Sequence, residues 1–300
     1  MGILEGKAAV VTGGGRGVGR GHCLHFAEQG AAVVVNDVDA SEAQAVVDEI
    51  TGSGGRAVAN TADIGTRKGA QELVAQCVDE FGAIHAVVNN AGIVRDRSFL
   101  KMSDEEWEDV IRIHAGGTFW CAQEGALRMR GQGTGGSIVN TVSAAQMGNF
   151  GQTNYSAAKG AIASMTYTWA NELSRYGIRV NAISPMATTR MSATVKGQDG
   201  KSAEAPFFDP NLNGPVVAYL CSDEARWITG QVFGTGGDRV VIMRHPKYDT
   251  GMFRPGGWDV EALREHMPRF FKAQPQLEPV GLYKKPYPYY DGVRPEGKES

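Results

Sequence analysis

The chain has 300 residues, of which 42% are hydrophobic and 21% charged, and its formal net charge is −3. A chain of this length and composition can bury a sizeable core, which argues against disorder. A slightly acidic chain has no basic field to attract nucleic acid or an anionic membrane, so neither partner is expected.

The cysteines are widely separated and form no C-x-x-C pair, so we predict reduced, buried thiols rather than a disulfide framework or zinc site. His22 and His25 lie beside one of them on a predicted helix, but no third ligand is spaced to complete a metal site. The chain begins without a signal-peptide pattern, ends without a peroxisomal address, and has no apolar run near the roughly 20 residues of a membrane span. We therefore expect a cytoplasmic protein. The cysteines are Cys23, Cys77, Cys121 and Cys221.

Short apolar runs rich in β-branched residues alternate with longer amphipathic stretches. The predicted strands are 8–11, 32–35, 57–59, 86–88, 137–140 and 179–183. The predicted helices are 17–29, 40–51, 67–81, 104–130 and 152–176. Several strands are apolar almost throughout, as is typical of a parallel sheet covered on both faces. The alternation predicts right-handed βαβ units and one doubly wound α/β sheet.

Two segments break this alternation. Residues 188–213 are polar and small, which indicates a mobile loop or lid. After Gly237 the sheet pattern is expected to end, so the domain is predicted to span residues 1–237. Residues 238–300 are predicted to be an extension, not an independent domain, with one helical piece near 258–271.

The first predicted strand is followed directly by a glycine-rich turn and a helix. A side chain in such a turn would hold the backbone away from a bound pyrophosphate, and the helix start offers free N–H groups to phosphate. A plain turn is the alternative, but the position between the first strand and first helix favours a dinucleotide site. The residues assigned to it are Gly13, Arg16, Gly17, Val18 and Gly19.

Asp37 follows the second predicted strand, 18 residues beyond Gly19, near the usual spacing of an acidic ribose ligand. Its carboxylate can accept hydrogen bonds from ribose hydroxyls and repels a 2′-phosphate. Arg16 could attract that phosphate, but the charge of Asp37 faces the 2′ position directly, so we predict NAD rather than NADP. The alternative for Asp37 is a turn or a helix cap.

Further cofactor contacts are expected after the third and fourth strands. Asp63 could accept a hydrogen bond from the adenine amino group, or it could cap its own loop. Small residues and amides after the fourth strand could admit the cofactor and tie neighbouring loops together. The residues assigned here are Asp63, Ile64, Asn89, Ala91 and Gly92.

Tyr155 and Lys159 stand four residues apart and so share one face of a predicted helix. A nearby ammonium favours the phenolate and should lower the pKa of Tyr155 from its ordinary value of about 10. Lys159 could also hold the nicotinamide ribose. Ser143 closes the fifth strand, where open α/β sheets bind ligands, and its hydroxyl could stabilise a substrate oxygen. An exposed helix pair is the alternative for the tyrosine and lysine.

Together, the glycine turn, residues 89–92, Ser143, Tyr155 and Lys159 resemble the short-chain dehydrogenase/reductase family over roughly residues 5–237. The resemblance implies a Rossmann-type doubly wound parallel sheet in a single domain. It also implies Tyr155 as acid/base, Lys159 as its activator and ribose holder, and Ser143 as oxyanion partner.

Residues 95–99, 103–107 and 148–152 resemble more closely the hydroxyacyl-CoA dehydrogenase part of peroxisomal multifunctional enzyme type 2 and its bacterial relatives. That likeness implies a 3-hydroxyacyl-CoA or a hydroxysteroid as substrate. An acyl-CoA needs cations at the pocket mouth, whereas a steroid needs a deep apolar slot. The candidate cations are Arg95, Arg97, Arg190, Lys196, Lys284 and Lys285.

The chain departs from the family pattern at three places. His114 stands where many members have an asparagine that supports a water in a proton relay, and a packed histidine is the alternative to that role. Ser143 lies 12 positions before Tyr155, one fewer than is usual, which indicates a trimmed loop. Pro185 is followed by methionine instead of glycine; it should still line the nicotinamide pocket, with Thr188 or Thr189 near the carboxamide.

These expectations describe an NAD-dependent dehydrogenase of secondary alcohols, in which Tyr155 removes the alcohol proton and protons leave past Lys159 and water near His114. An enzymatically silent NAD-sensing regulator on the same fold is the alternative, although such a sensor has no use for the intact serine, tyrosine and lysine. Analogy with relatives predicts a homo-oligomer.

Overall fold

The computed structural model describes residues 2–188, 207–248 and 251–271. The chain divides into two compact units, Met1–His245 and Pro246–Ser300. Within the described residues, no helix is both long enough and apolar enough to cross a membrane.

The first unit is built on one sheet of eight strands, whose order is β3-β2-β1-β4-β5-β6-β7-β8. All neighbouring strands are parallel except the last pair, in which β8 runs antiparallel to β7. The strands are β1 (Ala8–Thr12), β2 (Ala32–Asn36), β3 (Arg56–Asn60), β4 (Ala86–Asn89), β5 (Gly136–Thr141), β6 (Ile178–Pro185), β7 (Val232–Gly236) and β8 (Arg239–Met243).

Helices cover both faces of this sheet, which confirms the doubly wound prediction. The helices are α1 (Gly17–Glu28), α2 (Ala40–Gly52), α3 (Arg67–Phe81), α4 (Asp104–Ile111), α5 (Gly117–Gln132), α6 (Thr153–Leu173) and α7 (Gly214–Cys221). The single helix predicted over 104–130 is α4 and α5 joined by a π-helical turn at Arg112–Gly116. A π turn inserts one extra residue and is frequent at functional sites.

Adjacent residues of one strand enter opposite cores because side chains alternate across a sheet. Val11 packs in the core that includes Cys23 and Phe26 of α1, and Val10 in the core that includes Leu73 of α3. The cysteines are free and buried. These two layers make the sheet rigid and fix the strand ends from which the loops project.

Three elements were absent from the sequence prediction. β7 and α7 lie between 214 and 236, and β8 continues the sheet past Gly237, where the pattern was expected to end. Helix α7 is apolar on nearly every side, so it has no amphipathic period to detect. Strand β8 alternates partly buried and exposed residues, as an edge strand should, and the two-residue turn Gly237-Asp238 that joins it to β7 was not recognised as a hairpin.

The second unit is described over 246–248 and 251–271. It contains α8 (Val260–Phe271), which confirms the helix predicted near 258–271. Asp259 caps this helix, because its carboxylate accepts a hydrogen bond of 2.7 Å from the Ala262 amide. The side chain of Arg254 pairs with the same carboxylate at 3.1 Å.

The strand order reverses between β1 and β4, since the chain runs outward to β3 on one side and to β8 on the other. A crevice forms outside the carboxyl ends of the strands at such a reversal, and ligands of open α/β sheets bind there. The loops after β1, β4, β5 and β6 meet at that edge.

Candidate active site

The glycine turn after β1 packs directly on the segment after β4. Gly13 has a φ of 62°, and a Cβ placed on it would lie 2.8 Å from Cα of Ala91. A Cβ on Gly19 would strike the carbonyl oxygen of Gly13. The helix that follows has Arg16 as its N-cap without a side-chain cap, so its first N–H groups remain available to an anion. The turn is therefore packed so closely on its own backbone and on the segment after β4 that neither position has room for a side chain.

Asp37 lies against this turn and is 7% exposed. Its carboxylate accepts hydrogen bonds of 3.2 Å from the Gly15 amide and 3.1 Å from the Asp39 amide. Arg16 is turned to Glu42, with 3.4 Å between guanidinium and carboxylate. The Asp37 carboxylate, which is predicted to bind the ribose, is thus fixed beside the turn. Arg16, which could attract a 2′-phosphate, is already paired with Glu42.

Amides after β4 fasten the neighbouring loops, as the sequence predicted. The Asn90 side chain donates to the carbonyls of Thr12 and Gly13, both at 3.1 Å. The Thr12 hydroxyl accepts from the amides of Asn90 and Ala91 at 3.0 and 3.1 Å. Asn89 lies deeper and donates to Asn140 at 2.9 Å. The assigned set omitted Thr12 and Asn90, whose partners lie far away in sequence.

Asp63 caps its own loop, which was the predicted alternative to a contact with adenine. One carboxylate oxygen accepts a 2.8 Å hydrogen bond from the Gly65 amide, and the other lies 3.3 Å from the guanidinium of Arg112. Ile64 is buried beneath the same loop. A contact of Asp63 with adenine stays a prediction.

Ser143, Tyr155 and Lys159 come together at the ends of β5 and α6. Ser143 begins the turn after β5, where its hydroxyl accepts from the Ala145 amide at 3.2 Å, and it shares a hydrogen bond with the Tyr155 hydroxyl. The Lys159 ammonium lies 5.5 Å from the centre of the Tyr155 ring. It donates to the backbone carbonyl of Thr141 at 2.6 Å.

Burial governs the protonation of this group. It raises the pKa of Tyr155, with a further rise from the charge of Asp96 and an opposing effect of the Ser143 hydrogen bond. Burial also lowers the pKa of Lys159 from 10.5 to about 7. Burial is the largest influence on both groups, and the lowering of the Tyr155 pKa by Lys159 stays a prediction.

His114 lies in the π turn, buried beside Tyr155. The two rings meet edge to face, with 5.2 Å between their centres. Nε2 is 2.8 Å from the carbonyl oxygen and 3.0 Å from the amide nitrogen of Ile93. A Cβ on Gly92 would strike the imidazole. Burial lowers the pKa of His114 to about 3, so the ring is neutral. These are the contacts of a packed histidine, and a part in proton relay stays a prediction.

Pro185 ends β6, and Thr188 closes the base of the loop that follows. The Thr188 hydroxyl accepts from the Phe208 amide at 2.9 Å, and the Thr188 amide donates to the Phe208 carbonyl at 2.8 Å. Several residues that were predicted to lie near the carboxamide or to bind the phosphates of an acyl-CoA are outside the described residues. They are Thr189, Arg190, Lys196, Lys284 and Lys285.

The three segments 95–99, 103–107 and 148–152 meet in space. The Arg97 guanidinium binds the Glu106 carboxylate at 2.7 Å, and the Arg97 amide donates to the Gly151 carbonyl at 2.8 Å. Arg97 is thus already paired, whereas Arg95 lies a looser 3.9 Å from Asp109. Large apolar side chains stand exposed on the same segments, namely Phe99 at 73%, Leu100 at 92% and Phe150 at 90%.

No group of three histidine, cysteine or acidic side chains is arranged for a metal ion within the described ranges. His22 is fully buried, and its two ring nitrogens find no hydrogen-bond partner among the described residues. Burial lowers the pKa of His22 to about 3. It is a core residue of α1 and contributes nothing to the crevice.

Comparison with known proteins agrees with this geometry. Residues 7–200 match the family model described as short chain dehydrogenase. A crystal structure of a short chain dehydrogenase from Mycobacterium avium superposes with a TM-score of 0.79 and 40% identity, covering 87% of this chain and 93% of that one.

Two relatives are similar over most of this chain, and the name of the first specifies a reaction. Hydroxyacyl-CoA dehydrogenase ChsB1 of Mycobacterium tuberculosis is 40% identical over 284 residues, covering 89% of each chain. Peroxisomal multifunctional enzyme type 2 of Mus musculus is 40% identical over 250 residues, which are 80% of this chain and 33% of that protein.

Proposed function

This chain belongs to the short-chain dehydrogenase family, and from that premise we propose that it interconverts a 3-hydroxyacyl-CoA and the corresponding ketone with NAD. The observation that carries the reaction class is the contact of Ser143 with Tyr155, both partly buried, beside the buried Lys159 at the carboxyl end of β5. The acyl-CoA substrate is supported by the name of the Mycobacterium tuberculosis relative.

The residues present fit a dinucleotide. The glycine turn leads into α1, whose first N–H groups have no side-chain cap and lie next to the Asp37 carboxylate. Near the predicted nicotinamide end, the hydroxyl of Thr141 and one oxygen of Asn89 are buried without a partner among the described residues, so they are open to a ligand. When bound, the cofactor accepts or supplies the hydride.

NAD is preferred because of the charges around the turn. Asp37 is held by two backbone amides, so its carboxylate cannot easily move away from a 2′-phosphate. Arg16, the cation that could offset this repulsion, is paired with Glu42. Asp37 would instead accept hydrogen bonds from the ribose hydroxyls, which are worth about 1.5–3 kcal/mol when one partner is charged.

In oxidation, Tyr155 first loses its own proton, and its phenolate then takes the alcohol proton while Ser143 donates a hydrogen bond to the same oxygen. Their shared hydrogen bond keeps the two hydroxyls close enough to contact one substrate oxygen. Lys159, with a pKa of about 7, can exchange the proton onward at neutral pH and could bond the ribose in place of the Thr141 carbonyl. In reduction Tyr155 returns its proton to the developing alkoxide.

A hydroxysteroid or another bulky alcohol is the second candidate substrate. The exposed aromatic and aliphatic side chains of Phe99, Leu100 and Phe150 favour it, because they offer apolar area to a large apolar ligand. Among the described cations near them, Arg97 is held by Glu106, which weakens the case for phosphate binding at that position.

The chain is further proposed to form a homo-oligomer through α5 and α6. Their outer faces carry apolar residues that line a shallow groove, including Phe119, Leu127 and Trp169, and Tyr176 just after α6 lines the same groove. Sedimentation equilibrium tests this assignment, and the mass of a single chain would overturn it.

The cytoplasmic location stays a prediction from sequence.

The decisive experiment follows the absorbance of NADH with 3-hydroxyacyl-CoAs and hydroxysteroids, each with NAD and NADP. We expect turnover of an acyl-CoA with NAD, and Tyr155→Phe should abolish it while NAD binding persists. Turnover of steroids alone would move the substrate assignment to the second candidate. Full turnover by Tyr155→Phe would refute the catalytic assignment, and silence of the wild type with tight NAD binding would favour a sensor.

A further inference from the structure

Asn154, the residue directly before Tyr155, is fully buried at 0% exposure. Both hydrogens of its side-chain amide are used: Nδ2 donates to the carbonyl of Arg95 at 3.0 Å and to that of Glu106 at 2.8 Å. Its oxygen accepts from the amide of Tyr155 at 2.8 Å. One side chain therefore joins the segment after β4, helix α4 and the first turn of α6.

The bond to the Tyr155 amide has a particular consequence. The first N–H groups of a helix lack partners within the helix and need a cap. Gln152, at the N-cap position of α6, supplies no side-chain cap. Asn154 satisfies the Tyr155 amide instead, so the backbone that carries the phenol is fixed through Asn154 to segments 59 and 48 residues away in sequence.

We call the place where Asn154 joins the segment after β4, helix α4 and the start of α6 the junction. The side-chain amide of Gln152 strengthens it. Gln152 donates to the Asp96 carboxylate at 2.9 Å and accepts from Asn149 at 2.8 Å. Asp96, adjacent to Arg95, is thereby held near the phenol, and its charge contributes to the raised pKa of Tyr155. The junction thus controls both the position of Tyr155 and the negative charge that faces it.

The other groups facing the phenol come from three elements. Ser143 approaches from the end of β5 and shares a hydrogen bond with it. His114 meets it from the π turn and is neutral because its pKa is about 3. Lys159, on α6 itself, has a pKa of about 7 and is largely neutral where a phenol titrates. Asp96 is therefore the charged group whose distance from Tyr155 depends on the junction.

We propose that Asn154 is a positioning residue for Tyr155: it clamps the start of α6 to the segment after β4 and so holds the phenol against Ser143 in its buried place. The inference rests on the proposed function, because it assumes that Tyr155 is the acid/base. A displacement of about 1 Å in such a group can cost about 100-fold in rate.

The test uses two variants, each with a matched control. Asn154→Leu removes every polar contact with little change of shape, and the milder Asn154→Ser leaves only a short hydroxyl that cannot reach the two carbonyls. Asn181 of β6 supplies the controls Asn181→Leu and Asn181→Ser. It too is 0% exposed, and it joins the Ile228 carbonyl at 3.1 Å to the Gln231 amide at 3.0 Å. It bonds nothing in the crevice.

Three readouts are compared: thermal stability, kcat for whichever alcohol the wild type oxidises, and the pKa of Tyr155 from an ultraviolet difference titration against Tyr155→Phe. We expect all four variants to lose stability. Only the Asn154 pair should lose kcat, by about tenfold or more, with NAD affinity changed less than about threefold. Only that pair should lower the pKa of Tyr155, because the phenol gains solvent and Asp96 moves away.

The outcomes separate the two proposals. If the Asn154 variants match the Asn181 variants in kcat and in the phenol titration, Asn154 is merely structural and the inference is overturned. The titration needs no substrate, so it decides the matter even if the wild type turns over none of the compounds tried. If Tyr155→Phe keeps full activity, the proposed function itself fails, whatever the Asn154 variants do.

Discussion

Replacing Lys159 by Met should stabilise the fold while abolishing catalysis. The amine is fully buried, and the single hydrogen bond found for it among the described residues is the 2.6 Å bond to the Thr141 carbonyl. Burial lowers its pKa from 10.5 to about 7, so protonation of the folded chain is resisted. Methionine has a similar length and no charge to desolvate.

The size of the effect follows from the two pKa values of Lys159. The gap between 10.5 and about 7 corresponds to about 4–5 kcal/mol at pH values below both. The loss of a donor to the buried Thr141 carbonyl costs about 1–3 kcal/mol in return. The variant should therefore be more stable than the wild type at pH 7 by about 1–4 kcal/mol.

The pH dependence gives a second check with a definite sign. The folded pKa of Lys159 is depressed, so between about pH 7 and pH 10.5 the unfolded chain binds more protons than the folded one. Wild-type stability gains from this group as the pH rises through that window. The advantage of the methionine variant should shrink over the same window, and below pH 7 it should be constant.

Urea unfolding of the wild type and variant at pH 7, 8 and 9 measures both effects. Tyr155→Phe is the matched control, because it is equally inactive but retains the buried amine. A Lys159→Met variant less stable than the wild type at pH 7, or an advantage independent of pH, would show that the buried ammonium is not the destabilising group described above.

Three further outcomes are expected. Asp37→Ser should lower kcat/KM with NAD by about tenfold to 100-fold and raise it with NADP, whereas an unchanged NAD/NADP ratio would remove Asp37 from the ribose site. Because burial raises the pKa of Tyr155, the rate of alcohol oxidation, which needs the phenolate, should increase as the pH rises beyond neutrality, whereas the rate of ketone reduction should not. Parallel pH–rate profiles in the two directions would contradict this. Gly92→Ala should lower the free energy of unfolding, measured in urea, by about 1–3 kcal/mol because the new Cβ strikes His114. Adding His114→Ala should relieve part of that loss, and strictly additive losses would argue against the contact.

Local patterns predicted the features of this chain that depend on neighbouring residues. The alternation of buried strands with amphipathic helices predicted the doubly wound sheet. The position of the glycines after β1 predicted the turn, and the four-residue spacing placed Tyr155 and Lys159 on one face of α6. Each of these features is determined within a few turns of chain, where backbone geometry and hydrophobic period leave a readable signal.

The sequence could not predict what depends on distant contacts. Asn154 meets carbonyls 59 and 48 residues away, and no local pattern marks this asparagine. The spacing of Tyr155 and Lys159 also suggested that the lysine lowers the tyrosine pKa. Burial in the fold raises the pKa of Tyr155 and lowers that of Lys159, because removal from water disfavours the charged form of each group. The sequence thus determined which groups the site contains, and tertiary packing decided how each of them is held and protonated.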